Sequence, residues 1–438
     1  MKNPGTPNFV FILADDLGYS DLGCYGGRSN CSPMLDKMAA GGLRFTDGYA
    51  NSSVCSPTRF ALITGRYQYR LRGGADEPLA GRAVGDPTLG LPPAHPTLPS
   101  LLRDAGYATA LIGKWHLGFP PHFGPLKSGY ETFFGIHAGG VDYFSHNYRG
   151  NHDLYEGEEE VFKPGYFTDL ISERAVDYIR QQAGGRQPFL LSVHYTAPHW
   201  PWETRADEAE SKRIGPRIAH FDGGSVETYQ TMIHHMDEGI GKIFAALEAI
   251  GAADNTLVVF TSDNGGERFS DVWPFIGKKM DLLEGGIRVP LIARWPARLK
   301  ANTATRNLAI TMDWVATFFA AAGVAAHPDY PLDGQNLLPV LDDPGTFISR
   351  ELFWRMTFRN QRALRADQWK YISLGGDEFL FDLSRDARER ANLAKREPAR
   401  FEAMRARFER WNATMPAIPA DAVATAINTS ADLAAPSG

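Results

Sequence analysis

The sequence predicts an α/β protein: a large, mostly parallel sheet sandwiched by helices, followed by a smaller C-terminal α+β unit with an antiparallel sheet. Three observations lead there. Short runs rich in Val, Ile, Leu and Phe recur along the chain, amphipathic helical patterns lie between them, and the texture changes after about residue 347. Runs that are apolar throughout suit strands buried on both faces. Their alternation with helical patterns argues a layered α/β domain.

The runs are Phe9–Ala14, Ala108–Ile112, Phe189–Tyr195 and Leu257–Ser262. The clearest helix is Glu227–Ile250, where Ile233, Met236, Ile240, Ile243, Leu247 and Ile250 recur at three- and four-residue spacing. Gly251 closes it, and Asp254-Asn255 turns the chain into the next strand. Farther on, Glu351–Thr357, Trp369–Ser373 and Leu380–Leu383 read as strands and Glu397–Met415 as a charged amphipathic helix. The expected division is a main domain over 1–346, a C-terminal unit over 347–415 and an Ala-, Pro- and Ser-rich tail over 416–438, loosely held.

The 438 residues carry 43% hydrophobic and 22% charged side chains, an ordinary globular balance. A net charge of only -6 provides no basic field for nucleic acid or an anionic membrane, so neither is expected as a partner. No apolar run reaches the ~18 residues a membrane helix needs. The N-terminus runs straight into the Asn8–Ala14 stretch with no room for a signal peptide, which makes a cytoplasmic location the expectation. Cys24, Cys31 and Cys55 form neither a disulfide framework nor a zinc spacing.

Each of the apolar runs is followed at once by residues useful for chemistry. Asp15-Asp16 follow the first, Gly113-Lys114-Trp115-His116 the second, Ala197-Pro198-His199 the third and Asp263-Asn264 the fourth. In an open α/β sheet the carboxyl ends of parallel strands face the ligand crevice, so these segments should converge on one site. Adjacent aspartates at the end of a buried strand repel each other unless a cation or donors compensate them. With Asp263 and Asn264 they make an all-oxygen ligand set, which suits Ca2+, with Mg2+ as the alternative, and not zinc or copper.

Cys55-Ser56-Pro57-Thr58-Arg59 precedes an apolar stretch that ends at Gly65. Pro57 fits the first turn of a short helix, which sets residue 55 beside a helix N-terminus, where backbone N–H groups attract anions. A thiolate there would be activated, so a cysteine hydrolase using His116 or His199 is one reading. A soft thiolate is a poor partner for an oxygen-preferring cation, and an oxygen nucleophile fits better.

Cys55-x-Pro57-x-Arg59 resembles the signature of type I sulfatases, in which a dedicated formylglycine-generating enzyme oxidises the cysteine to formylglycine. Phe11–Asp21, Gly113–His116, Ala197–Pro201, Ser262–Gly266 and Glu284–Pro290 resemble that family's blocks, in the family's order, over roughly residues 8–385. Thr58 stands where the family has Ser or Ala. The family's lysine lies five residues before Glu284, which selects Lys279 over Lys278.

The resemblance implies an alkaline phosphatase-like fold, with 1–346 as the catalytic domain, and an arylsulfatase-like sulfuric ester hydrolase acting on aryl or sugar sulfates. It implies that Asp15, Asp16, Asp263, Asn264 and residue 55 hold the cation. The hydrated aldehyde at residue 55 would attack sulfur while Arg59, Lys114 and Lys279 hold the sulfate oxygens. His199 with Lys279 would protonate the leaving alcohol, and His116 would take the proton whose loss expels sulfate. His137, Asp142, Tyr143 and His146, in a stretch of loop character, resemble a segment of arylsulfatases and galactosamine-sulfate sulfatases and are candidates for the substrate wall. A phosphonate monoester or phosphodiester hydrolase with the same nucleophile is the alternative reading.

Overall fold

The computed structural model describes residues 5–185, 187–216 and 218–425, so residues 426–438 of the expected tail lie outside the description. A ten-stranded sheet forms the centre. Its strands are β1 (Asn8–Ala14), β2 (Leu43–Phe45), β3 (Ala108–Lys114), β4 (Thr132–Ile136), β5 (Tyr155–Glu156), β6 (Glu159–Glu160), β7 (Phe189–His194), β8 (Thr256–Ser262), β9 (Leu291–Arg294) and β10 (Thr303–Thr305). They lie in the spatial order β10-β2-β9-β8-β1-β7-β3-β4-β5-β6. The run from β8 to β4 is parallel throughout. β9 is antiparallel to β8 and β2, and β5–β6 is an antiparallel edge hairpin. The sheet is therefore mixed and mostly parallel at its centre, as expected.

Successive side chains of β1 point to opposite faces, and each face has its own helices. Val10 and Ile12 pack in one core with Ile171 and Ala175 of α2 (Phe167–Gln181) and Ile233 and Ile240 of α3 (Val226–Ala249). Phe9, Phe11 and Leu13 pack in a second with Leu62 and Ile63 of α1 (Cys55–Thr64) and Trp314 and Phe318 of α4 (Asp313–Ala322). Phe9 stacks on Phe318 with ring centroids 4.4 Å apart. Burial of each such side chain stabilises the fold by roughly 1.5–3 kcal/mol. Two-sided burial is the physical reason the run from Phe9 to Ala14 shows no polar alternation.

A second sheet holds β11 (Glu351–Met356), β12 (Gln361–Ala366), β13 (Trp369–Leu374) and β14 (Asp377–Asp382), antiparallel in chain order. Helix α5 (Pro398–Asn412) buries Met404 and Phe408 against it. This sheet shares a core with Cys55, Ala61 and Leu282 of the main body. The indole of Trp354 donates to Ala50 O at 2.9 Å, and Gln361 Nε2 to Met280 O at 2.7 Å. Glu284 is a further clamp, accepting from Lys370 Nζ at 2.9 Å and Tyr49 OH at 2.8 Å. The C-terminal sheet thus braces the loops beside residue 55.

The described part of the tail, residues 416–425, makes specific bonds to the main body. Glu77 N donates to Val423 O and Thr425 N to Glu77 O, both at 2.9 Å, and Asp421 pairs with Arg72 at 2.7 Å. Backbone pairing of this kind leaves no periodic trace in a tail rich in Ala and Pro.

Candidate active site

Four neighbouring strands, β8, β1, β7 and β3, deliver the chemistry from their carboxyl ends. Asp263 N donates to Ala14 O and Asp15 N to Ala197 O, both at 3.1 Å, so the loops stay tied together beyond the last ladder residues. Asp16 takes a left-handed conformation, φ 63°, which breaks the strand's alternation and lets adjacent carboxylates serve one cluster. His116 is also left-handed, φ 60°, a conformation non-glycine residues keep where surrounding structure enforces it.

The charges interlock. Arg59, from the first turns of α1, donates through Nε to Asp263 Oδ2 at 2.9 Å and pairs with the same oxygen through its terminal nitrogen at 2.8 Å. A second terminal nitrogen donates to Lys114 O at 3.0 Å. Lys114 Nζ is paired with Asp15 Oδ2. Lys279 Nζ donates to Asp16 Oδ2 at 2.7 Å, and Asn264 Nδ2 donates to Asp16 Oδ1 at 2.7 Å. All of these side chains are buried. Lys278, by contrast, is half-buried, and its hydrogen bond is a backbone one to Asp281.

Acceptors are left over. Asp15 Oδ1 and Asn264 Oδ1 are buried with no partner among the described residues. One ligand atom from each of Asp15, Cys55 and Asp263 lies within 4.8 Å of the others. Burial, reinforced by Asp263, pushes the Asp15 carboxyl up to about 7 despite Lys114. Asp16 goes the other way: burial opposes its ionisation, yet Lys279, helped by the Asn264 hydrogen bond, holds it down to about 2. Buried, unpartnered oxygens among mutually repelling carboxylates fit a hard divalent cation.

Cys55 opens α1 after the extended Val54, where first-turn N–H groups lack helical partners. Burial pushes its thiol up to about 11, against the pull of Lys114 and Lys279. The helix is buried along its length and is fixed through its hydroxyls. Ser56 Oγ accepts from Leu79 N at 2.8 Å. Thr58 Oγ1 accepts from Ser52 N at 2.9 Å and donates to Ser52 O at 3.1 Å, pinning the loop before the nucleophile position. The departure at Thr58 therefore keeps the hydroxyl that a serine would supply.

Both histidines are held in one tautomer. His116 Nε2 donates to Leu79 O at 2.8 Å, leaving Nδ1 without a partner among the described residues. His199 Nδ1 donates to Trp200 O at 2.6 Å, and its Nε2 stands 3.7 Å from Asp16 Oδ2. Burial depresses both, helped by Lys114 at His116 and Lys279 at His199, so each ring is neutral and offers one bare nitrogen.

The side chains of the 137–147 segment, the candidates for the substrate wall, have definite internal partners. Asp142 Oδ1 accepts from the backbone of Phe144 and Ser145 and from the Ser211 hydroxyl, a turn-forming role. Tyr143 is buried and donates through its hydroxyl to His199 O at 2.9 Å, supporting the histidine from behind. His137 packs on Phe133 and Tyr155, and His146 on Phe167. The glycines make the close approach: a Cβ on Gly139 would lie 2.5 Å from His116 Cε1, and one on Gly140 3.2 Å from His199 Cε1. Two residues escaped the sequence reading. Glu267, just past the Asp263–Gly266 block, is buried near Lys279 with Oε2 unpartnered among the described residues, and burial pushes it up to about 7. His194 ends β7 and meets Lys114 O at 3.2 Å beside Arg59.

Comparison with known proteins bears on this arrangement. The sequence matches the family described as Sulfatase over residues 7–324, and N-sulphoglucosamine sulphohydrolase, C-terminal, over residues 273–410. It is 35% identical to N-acetylgalactosamine-6-sulfatase of Homo sapiens over 80% of this chain and 68% of that protein. It is 34% identical to arylsulfatase G of Mus musculus over 79% of this chain and 71% of that protein. The fold superposes on the crystal structure of Ps i-CgsB in complex with k-i-k-neocarrahexaose with a TM-score of 0.82 and 30% identity, covering 93% of this chain and 92% of that one.

Proposed function

The chain belongs to the sulfatase family and hydrolyses sulfate esters, and we propose that it cleaves them at a formylglycine made from Cys55, beside Ca2+ held by Asp15, Asp16, Asp263, Asn264 and residue 55. The observation that carries the reading is the meeting of Cys55 with Asp15 and Asp263 within 4.8 Å, next to the unpartnered Asp15 and Asn264 oxygens. A thiol pushed up to about 11 is protonated at neutral pH, which weighs against unmodified Cys55 as the nucleophile. Hydrated formylglycine supplies two hydroxyls on one carbon, one to attack sulfur and the other to release sulfate. A bound cation supplies positive charge that acidifies such a group and offsets charge on the sulfate.

The chain's own residues do the rest. Arg59 and Lys114, each anchored to a carboxylate, present fixed positive charge to the sulfate oxygens. Lys279 sits against burial that would discharge it, but Asp16 above all keeps it an ammonium, so it is a standing donor near His199. An anionic ester beside His199 Nε2 favours a proton there, which the leaving alcohol then takes. His116, with Nδ1 bare, is the base for the release step.

Cys55, Pro57 and Arg59 are all buried, so the modifying enzyme must read them before the chain folds. A sugar sulfate is the best-supported substrate, from the galactosamine-sulfatase relative and the oligosaccharide-bound neighbour. Among the described residues no helix is long and apolar enough to cross a membrane. A reducing compartment such as the cytoplasm is supported by the three free cysteines alone. The test is turnover of 4-nitrophenyl sulfate with and without a Ca2+ chelator. Activity that the chelator removes, Ca2+ restores and Cys55→Ala abolishes is expected; activity that survives Cys55→Ala would refute the reading.

A further inference from the structure

We propose that Arg149, at the tip of a short hairpin over the site, recognises a second anionic group, a sulfate or carboxylate, on the sugar next to the one whose ester is cleaved. The proposal rests on the sugar-sulfate reading above and deepens it.

The hairpin pairs Asn147–Tyr148 with Asn151–His152, leaving Arg149 and Gly150 as a two-residue turn. Both turn residues are left-handed, φ 51° and 85°. That is the geometry of a type I′ turn, which favours Asn or Asp followed by Gly. An arginine in the first position is strained where asparagine would not be. Strain retained at a loop tip calls for a compensating use.

Internal contacts do not provide one. The guanidinium stands 5.5 Å over the Tyr148 ring and makes no hydrogen bond or ion pair among the described residues, although most arginines of this chain do. It is exposed and lies against Gly81, where an added Cβ would be 2.9 Å from an Arg149 terminal nitrogen. Gly81 is two residues beyond Leu79, whose carbonyl accepts from His116 and whose N–H donates to Ser56, the neighbour of residue 55. The positive charge therefore lies against a residue two along the chain from Leu79, which is bonded to both Ser56 and His116. A half-buried aromatic ring beneath an unpaired guanidinium is suited to a sugar carrying a negative charge, because the ring offers an apolar face and the guanidinium bidentate donors.

The test uses the mature enzyme and two saccharides, one monosulfated and the other identical but bearing a second sulfate on the adjacent ring. Asparagine suits the left-handed position, so Arg149→Asn removes the charge without straining the turn, and a melting curve checks this. Arg149→Asn should lower kcat/KM on the disulfated saccharide roughly ten- to hundredfold more than on the monosulfated one, mostly through KM. Arg149→Lys should recover part of the difference, and added salt should shrink it. An unchanged ratio of the two specificities in Arg149→Asn would overturn the proposal. A wild-type enzyme that turns over 4-nitrophenyl sulfate but neither saccharide would overturn the sugar reading itself, and this inference with it.

Discussion

Lys279 Nζ lies 2.7 Å from Asp16 Oδ2, with both side chains buried. The neighbouring Lys278 enters no such pair and is half-buried. Two adjacent lysines thus have different consequences. Lys279→Ala removes the donor near His199 and leaves Asp16 without its cation, so kcat on 4-nitrophenyl sulfate should fall at least about a hundredfold, as for loss of a preorganised donor. Lys278→Ala should change it less than about threefold, because surface substitutions away from such features cost little. Parallel steady-state kinetics decides it; equal losses would contradict the assignment.

The charges of Asp15 and Asp16 predict opposite pH responses. Asp15 is raised from 3.8 to about 7, so in metal-free protein its contribution is fully present below pH 3.8 and is lost as pH rises through about 7. Asp16 is lowered from 3.8 to about 2, so its contribution is present above pH 3.8 and is lost as pH falls through about 2. Ca2+ binding requires Asp15 ionised and must release its proton. The increase in Tm on adding Ca2+ should therefore grow between about pH 5 and pH 8, and a flat response across that window would exclude Asp15 as a ligand.

Gly139 has no room for a side chain against His116, since its Cβ would lie 2.5 Å from Cε1. Gly139→Ala should push the imidazole off its bond to Leu79 O and lower kcat by about tenfold or more, with far-ultraviolet circular dichroism unchanged. Wild-type kinetics in this variant would show that the ring yields freely.

Thr58 ties the Ser52 backbone twice through one hydroxyl. Thr58→Val leaves a buried donor and acceptor unmet and should cost about 1–3 kcal/mol in chemical unfolding, while Thr58→Ser should recover most of it. Equal stability of the two would remove this account of the departure at position 58.

Much of this arrangement was legible in sequence because the central strands are buried on both faces. The runs ending at Ala14 and Ser262 contain little but apolar residues, and each hands the chain directly to carboxylates. The observed β3 runs two residues past Ile112 to include Lys114, since a charge satisfied by Asp15 can sit in a strand. β12 was missed because its alternation is disguised by Arg362 and by Arg365, whose charge is paired to Asp47 inside the fold. Tertiary neighbours of that kind also hid the roles of Asp142, spent in a turn, and Glu267, which feels the charge of Lys279 from a separate loop. Periodicity and motif spacing report on a segment's own faces, not on which distant side chain completes it.

The most direct test is the mass of the tryptic peptide Phe45–Arg59, which contains Cys55. The account predicts a species about 18 Da lighter than the thiol form, the mark of covalent conversion to the aldehyde, in a preparation whose activity scales with the converted fraction. An active preparation in which this peptide carries only unmodified cysteine would contradict it.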